Sequence, residues 1–223
     1  MTAWRARGPV LITGTDTGVG KTVVAAAVAA AAAAAGLQVA VVKPAQTGAD
    51  DDAAAVARLA APATAVTLAT YPDPLAPLVA ATEAGLAPLA FDQVVAAVRE
   101  HAARHDLVLV EGAGGLLVPM GRRGDGEWTV ADLAVALGAP ALVVARAGLG
   151  TLNHTALTLE VLRHRGVAAR VVIGAWPARP EPVHRTNLAR LQPDLAGMVP
   201  EGAGALAPAE FRRAAPAWLR LHW

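Results

Sequence analysis

Cysteine is absent from the 223-residue chain, which excludes disulfides, thiolate-held metals, iron–sulfur clusters and a cysteine nucleophile. An excess of charge is also missing. The formal net charge is +1 and the arginines are scattered, so there is no electrostatic case for a nucleic-acid or anionic-membrane partner. The N-terminal stretch MTAWRARGPV carries two arginines but no apolar segment long enough for a secretory signal, so a cytoplasmic protein is expected. The third scarcity is lysine: of 19 basic residues only Lys21 and Lys43 are lysine. In a chain that uses arginine nearly everywhere, a remaining lysine marks a position where a compact ammonium is needed rather than a planar fork, so both are site candidates.

What is present is a strand, a glycine-containing loop and a helix in immediate succession. Val10 to Thr13 is apolar, GTDTGVGKT follows from Gly14 to Thr22, and an alanine-rich helix former begins at once. Such a loop turns backbone N–H groups toward an anion, the helix N-terminus adds partial positive charge, Lys21 reaches the outer phosphates and the Thr22 hydroxyl suits Mg²⁺. The strict pattern GxxxxGK[ST] would put its first glycine at position 15; here Thr15 stands there and the glycine is Gly14.

The uncharged run from Thr22 to Val42 is long enough to span a membrane, but alanine contributes little transfer energy and Gly36 and Gln38 interrupt it. It reads as a buried helix, Lys21 to Ala35, followed by a strand, Val39 to Val42, which closes at Lys43-Pro44. Asp52 can open a helix from Ala53 to Ala60. The proline-rich stretch Pro62 to Pro88 reads as a long loop with at most one short helix. Asp92 is expected to cap a helix over Gln93 to His105, before strand Leu107 to Val110 and the sequence Glu111-GAGG. Gly121 to Trp128 reads as a polar turn. Next come a helix from Thr129 to Leu137, strand Ala141 to Ala145, helix Thr151 to Arg165 and strand Val171 to Gly174. Helix Val183 to Leu191, strand Leu195 to Val199 and a terminal helix Ala207 to Leu221 complete the chain. Alternating strands and helices predict one α/β domain over residues 1–223, with a parallel, doubly wound sheet and helices on both faces.

Ligands gather at the carboxyl ends of such strands, so the residues just past them are expected to meet. These are the phosphate loop, Lys43 and Thr47, Glu111 with its glycines, Gly148 to Asn153, and Ala175-Trp176. Glu111 ends an apolar strand, as a metal-associated acid does, and the neighbouring glycines leave room for a ligand. Asp52 suits a second Mg²⁺ carboxylate and equally a helix cap, with Asp50 and Asp51 competing for either role. Lys43 can neutralise charge on a transferring phosphoryl group. The helix start at GLGTLNH suits a carboxylate or phosphate, or an ordinary cap at Thr151; His154 receives no catalytic role.

GTDTGVGKT, KPAQTG, a following aspartate, VEGAGG and GTLNH, in this order and at these spacings, resemble the dethiobiotin synthetases from about Val10 to Pro200. These are ATP-dependent carboxylases of biotin synthesis with a P-loop NTPase fold. The resemblance implies a co-substrate ATP with Mg²⁺ and two further substrates, CO₂ and 7,8-diaminopelargonic acid. It also implies a carbamate, its phosphorylation to a mixed anhydride, and closure of a ureido ring. Carried over, the catalytic residues are Lys21, Lys43 and Thr15. Nucleotide binding falls to Asp16, Thr17, Gly18, Val19, Gly20, Lys21 and Thr22, with Ala175, Trp176 and Pro200. Thr22, Asp52 and Glu111 gather the metal. Lys43, Thr47 and Gly114 lie on the substrate side, and the distant substrate carboxylate is held across a homodimer interface by Gly150, Thr151, Leu152 and Asn153 of the partner subunit. Where some members carry Asn-Asp to read adenine this chain has GAWP, Gly174 to Pro177, so tolerance of other nucleoside triphosphates is expected. Two other readings share parts of the pattern. Cobyrinate-type amidoligases use a cysteine this chain lacks. Partitioning and septum-placement ATPases place a second lysine early in the phosphate loop, where Thr15, Asp16 and Thr17 stand here.

Overall fold

The computed structural model describes residues 7–222; the expectation about a leader rests on residues 1–6, which lie outside the described residues. The elements begin with β1 (Gly8–Gly14), α1 (Lys21–Ala34), β2 (Val39–Thr47), α2 (Asp52–Ala60), β3 (Thr64–Tyr71), α3 (Pro77–Glu83) and α4 (Phe91–Ala102). They continue with β4 (Leu107–Gly115), β5 (Gly121–Arg123), β6 (Gly126–Trp128), α5 (Val130–Leu137) and β7 (Ala141–Ala145). The last are α6 (Thr151–His164), β8 (Ala169–Trp176), α7 (Pro182–Leu191), β9 (Leu195–Pro200) and α8 (Pro208–Ala214).

Seven strands form one sheet in the order β3-β2-β4-β1-β7-β8-β9, and every pairing in it is parallel. The central strands are buried on both faces, which is why they read as continuous apolar runs. Successive side chains still separate by face. Val10, Ile12, Val39, Val41, Leu107 and Leu109 pack with α1, α2 and the C-terminal helix. Leu11, Ala40, Val42, Val108 and Val110 pack with α4 and α5. Helix α1 offers that first layer little but methyl groups. Alanines 25–27, 29 and 32 are fully covered, and each contributes only about 0.8 kcal/mol of burial, so α1 holds by lying close to the sheet.

The uncharged run divides as expected into α1, a turn at Gly36 with φ +86°, and β2. Among the described residues no helix is long and apolar enough to cross a membrane.

The structure differs most from expectation in four places. The stretch 62–88 contains a strand, β3, as well as the short helix α3. The sequence TAVTLATY mixes threonines and alanines among its apolar residues, and as an edge strand it is only half buried, so no apolar run announces it. Helix α4 starts two residues early with Ala90 as its cap, which leaves Asp92 in the first turn. GRRGDGEW is a hairpin, β5 against β6, whose closing Trp128 is buried against the Phe91 ring and donates its indole N–H to the Leu89 carbonyl. Helix α8 stops at Ala214 and continues as a 3-10 turn through Pro216, because a proline has no N–H for the helical ladder.

Candidate active site

The order of strands reverses about β1 and β4: the chain leaves β1 for β2 and β3, returns to β4 between β2 and β1, then builds outward through β7, β8 and β9. The crevice at this switch point is the place where an open parallel sheet binds ligands. The loop from Gly14 to Thr22 covers its mouth. Gly20 caps α1 at φ +95°, and no side chain caps the helix, so the first-turn N–H groups are left to a ligand. The loop is also tight. A β-carbon on Gly14 would lie 2.7 Å from the Asp16 carbonyl, and one on Gly174, within β8, would lie 1.9 Å from the Val19 carbonyl. The Lys21 ammonium donates to the Asp16 carbonyl at 3.0 Å. Burial first, and then repulsion from Lys43, lower its pKa.

Beneath the loop β2 and β4 part company. Their ladder ends at Val42↔Val110, while β2 stays paired with β3 as far as Thr47. Pro44 brings no N–H to the ladder at this point. Lys43 and Glu111 occupy the opening, only 4% and 1% exposed. The ammonium lies 2.5 Å from Asp52 Oδ2 and 2.9 Å from Glu111 Oε1, and donates to the Gly112 carbonyl at 3.3 Å. The Thr22 hydroxyl is 2.8 Å from Asp52 Oδ1 and 2.9 Å from Glu111 Oε1; its single proton serves one of them at a time. Burial alone would lower the Lys43 pKa, but the Glu111 and Asp52 carboxylates outweigh it and hold it above the ordinary lysine value. Burial would raise Asp52, and the Lys43 ammonium outweighs it and holds the carboxyl low. Glu111 goes the other way: burial, helped by the Asp52 charge, raises it. Two carboxylates share one ammonium, and the deeper one holds its proton more readily.

The aspartate run resolves by hydrogen bonding. Asp51 caps α2, accepting from the Ala54 N–H at 2.9 Å, whereas Asp52 turns inward, its own N–H held by Gln46 Oε1 at 3.1 Å. Asp50 lies at the rim of the cleft. Two carboxylates and a hydroxyl around one point fit a hard divalent cation that takes its other oxygens from phosphate and water. Among the described residues no group of three or more His, Cys, Asp or Glu side chains is assembled, so the protein alone could not complete such a shell.

A cleft of about 380 Å³ brings together Thr17, Gly18, Gly20, Lys21, Thr22, Lys43, Thr47, Asp52, Glu111 and Gly114 from the expected set. The rest of the expected set does not line this cleft. The Thr15 hydroxyl is buried and has no hydrogen-bond partner among the described residues, Val19 belongs to the core, and Asp16 faces Arg146. Ala175 follows Gly174 beside the loop, while Trp176 pairs with Pro200 in the β8–β9 ladder and meets the His184 ring edge-on. Gly150 caps α6 at φ +91°; Thr151 turns inward to Thr155, while Leu152 and Asn153 face outward. Leu149, 87% exposed, stands in the β7–α6 loop and Leu157 on α6 is exposed as well. Asn187 pins that loop by donating to the Ala147 and Gly148 carbonyls, both at 3.0 Å. Sequence reasoning missed Gln46, though it stands inside KPAQTG, and Arg146, the lone charge directly after strand β7.

Residues 9–204 match a family model described as an AAA domain. The ATP-dependent dethiobiotin synthetase BioD of Streptomyces avermitilis is 55% identical over 219 residues, spanning 94% of this chain and 91% of the relative. The protein of the same name from Rhodococcus jostii is 53% identical over 223 residues, spanning 96% and 95%. Among solved structures, the septum site-determining protein MinD complexed with Mg-ADP, from Pyrococcus horikoshii, has a TM-score of 0.59 at 18% identity, over 93% of this chain and 94% of that one. That likeness is one of fold alone.

Proposed function

The chain belongs to the ATP-dependent dethiobiotin synthetase family, and on that premise we propose that it is a ligase of biotin biosynthesis. Its substrates are 7,8-diaminopelargonic acid, CO₂ and ATP, and its products are dethiobiotin, ADP and phosphate. One substrate amine adds to CO₂, forming an N–C bond and giving up a proton to become a carbamate. A carbamate oxygen then attacks the γ-phosphorus, and the bond from that phosphorus to the β,γ-bridging oxygen breaks to release ADP. The second amine attacks the carbonyl carbon of the mixed anhydride, phosphate leaves with the former carbamate oxygen, and the ureido ring is closed.

The observation that carries this reading is Lys43. A buried lysine from the second strand, held between Asp52 and Glu111 beside the phosphate loop, puts a fixed positive charge next to the anionic carbamate and the γ-phosphoryl group. Lys21 and the loop from Thr15 to Thr22 hold the phosphates, with Ala175, Trp176 and Pro200 toward the base. Thr47 and Gly114 bound the carbamate side. Thr22, Asp52 and Glu111 would hold Mg²⁺, which when bound neutralises phosphate oxygens. Little covalent work falls to the protein; positioning and charge complementarity supply the acceleration. Residues 1–223 act as one domain in the cytoplasm and assemble as a homodimer. The exposed Leu149, Leu152 and Leu157 supply apolar surface for that assembly, which would bring Gly150 to Asn153 of one protomer to the substrate carboxylate in the other.

The test is phosphate release with Mg²⁺, ATP and bicarbonate, with and without the diamine. Release that depends on the diamine is expected. Equal release in its absence would overturn the synthetase and favour a nucleotide switch of the kind that shares the fold.

A further inference from the structure

We propose that Arg146 is a positioning residue of the phosphate loop, neutralising a carboxylate that the loop needs for its shape but that would repel the nucleotide. Asp16 stands within the loop and serves it twice. Its Oδ1 accepts the Thr17 N–H at 2.8 Å, which fixes the turn, and its carbonyl accepts the Lys21 ammonium at 3.0 Å. Its second carboxylate oxygen, Oδ2, lies 2.7 Å from Arg146 Nη2. Among the described residues Arg146 is the one cation in ion-pair contact with that carboxylate.

The arginine comes from the neighbouring strand. β7 pairs with β1 through Gly14↔Val144, the Thr15 N–H donates to the Val144 carbonyl at 3.0 Å, and Arg146 follows the last residue of β7. The loop is thus clamped to β7 by one backbone hydrogen bond and one ion pair. Both side chains are about half exposed, so the pair adds little to folding. Its consequence falls on the ligand. A loop built to receive a polyanion carries a negative charge of its own, and the guanidinium cancels it without displacing the Thr17 N–H from the other oxygen.

This inference rests on the phosphate-loop reading, and direct binding of Mg-ADP, followed by calorimetry, separates the two. Wild-type protein that fails to bind Mg-ADP would overturn the reading and this inference together. With binding established, Arg146→Ala is expected to weaken it about fivefold at low salt, the scale of an exposed charge pair, and less at high salt. The KM for the triphosphate should rise in parallel while kcat and the melting temperature stay unchanged. Adding Asp16→Asn to Arg146→Ala, which keeps the acceptor for Thr17 but removes the charge, should return the affinity to within about twofold of wild type. Unchanged binding in Arg146→Ala, or a double variant that binds no better than the single one, would overturn the proposal. A purely structural arginine would instead lower kcat and the melting temperature and would not respond to the loss of the Asp16 charge.

Discussion

Replacing Lys43 by methionine keeps most of the apolar stem, one atom shorter, and removes the charge from between two carboxylates. The ammonium side chain is 5% exposed, Glu111 1% and Asp52 24%, so two anions remain where water reaches only one of them well. Removing one partner of a buried ion pair costs about 3–5 kcal/mol. The low end applies here, because Asp52 can rehydrate and Glu111 can take up a proton. A loss of about 3 kcal/mol in a chain of this size lowers the melting temperature by roughly 6–12 °C. The sign of the pH dependence follows from Glu111, whose folded pKa is already raised by burial and rises further without the ammonium. The penalty is therefore full above the folded Glu111 value and shrinks as pH falls through it, where the buried carboxyl becomes neutral. Wild type shares the raised Glu111, less strongly, and adds two groups of its own. Its raised Lys43 contributes stability that is lost only as pH rises through the folded lysine value, and its lowered Asp52 contributes stability lost only as pH falls through the folded aspartate value. Thermal unfolding by circular dichroism in EDTA, from pH 5 to pH 8, measures both. A Lys43→Met protein that melts with wild type at pH 7.5, or whose deficit grows on acidification, would refute the charge cluster as described.

Lys43→Arg should fold normally yet lose on the order of a hundredfold in kcat, since a planar fork cannot set one compact charge against the transferring group; full diamine-dependent turnover would remove Lys43 from the chemistry. Gly174→Ala places a methyl group 1.9 Å from the Val19 carbonyl, so the loop must shift and Mg-ADP binding should fall at least about tenfold; calorimetry on the folded variant decides this. With GAWP where an adenine-reading amide would stand, kcat/KM for CTP and GTP should lie within about tenfold of that for ATP, and strict preference for ATP in the phosphate-release assay would contradict this.

The legible part of the molecule is the part where local chemistry is unambiguous. Strand β7 and the starts of α1 and α6 stand at their expected residues, because a buried strand needs five apolar residues in a row and a helix starts cleanly after glycine. β3 escaped because an edge strand is half wet, and its mixed threonines and alanines lie between Pro62 and Pro72. The ends of β2 and β4 escaped as well. Both were expected to stop at the last apolar residue, and both continue through Pro44 and through Gly112 to Gly115, because the sheet goes on pairing past the point where side chains stop being hydrophobic.

That overshoot bears on the site. Had β2 and β4 remained paired beyond Val42 and Val110, the space between them would be filled by a ladder, with no room for an ammonium and a carboxylate. Their separation lets Lys43 reach Glu111, and the same separation admits the N-terminus of α2 with Asp52. Which of three consecutive aspartates enters cannot be read from spacing, since each is an equally good cap by residue type. The choice is made in the folded chain by Gln46, six residues earlier, whose amide oxygen takes the Asp52 N–H and leaves Asp51 to close the helix. Arg146 is hidden for the same reason. Its partner is 130 residues away, and only the adjacency of β7 to β1 makes them neighbours. Residue type marks the groups able to do phosphate chemistry, a lysine in a lysine-poor chain above all. The order of strands decides which of them meet.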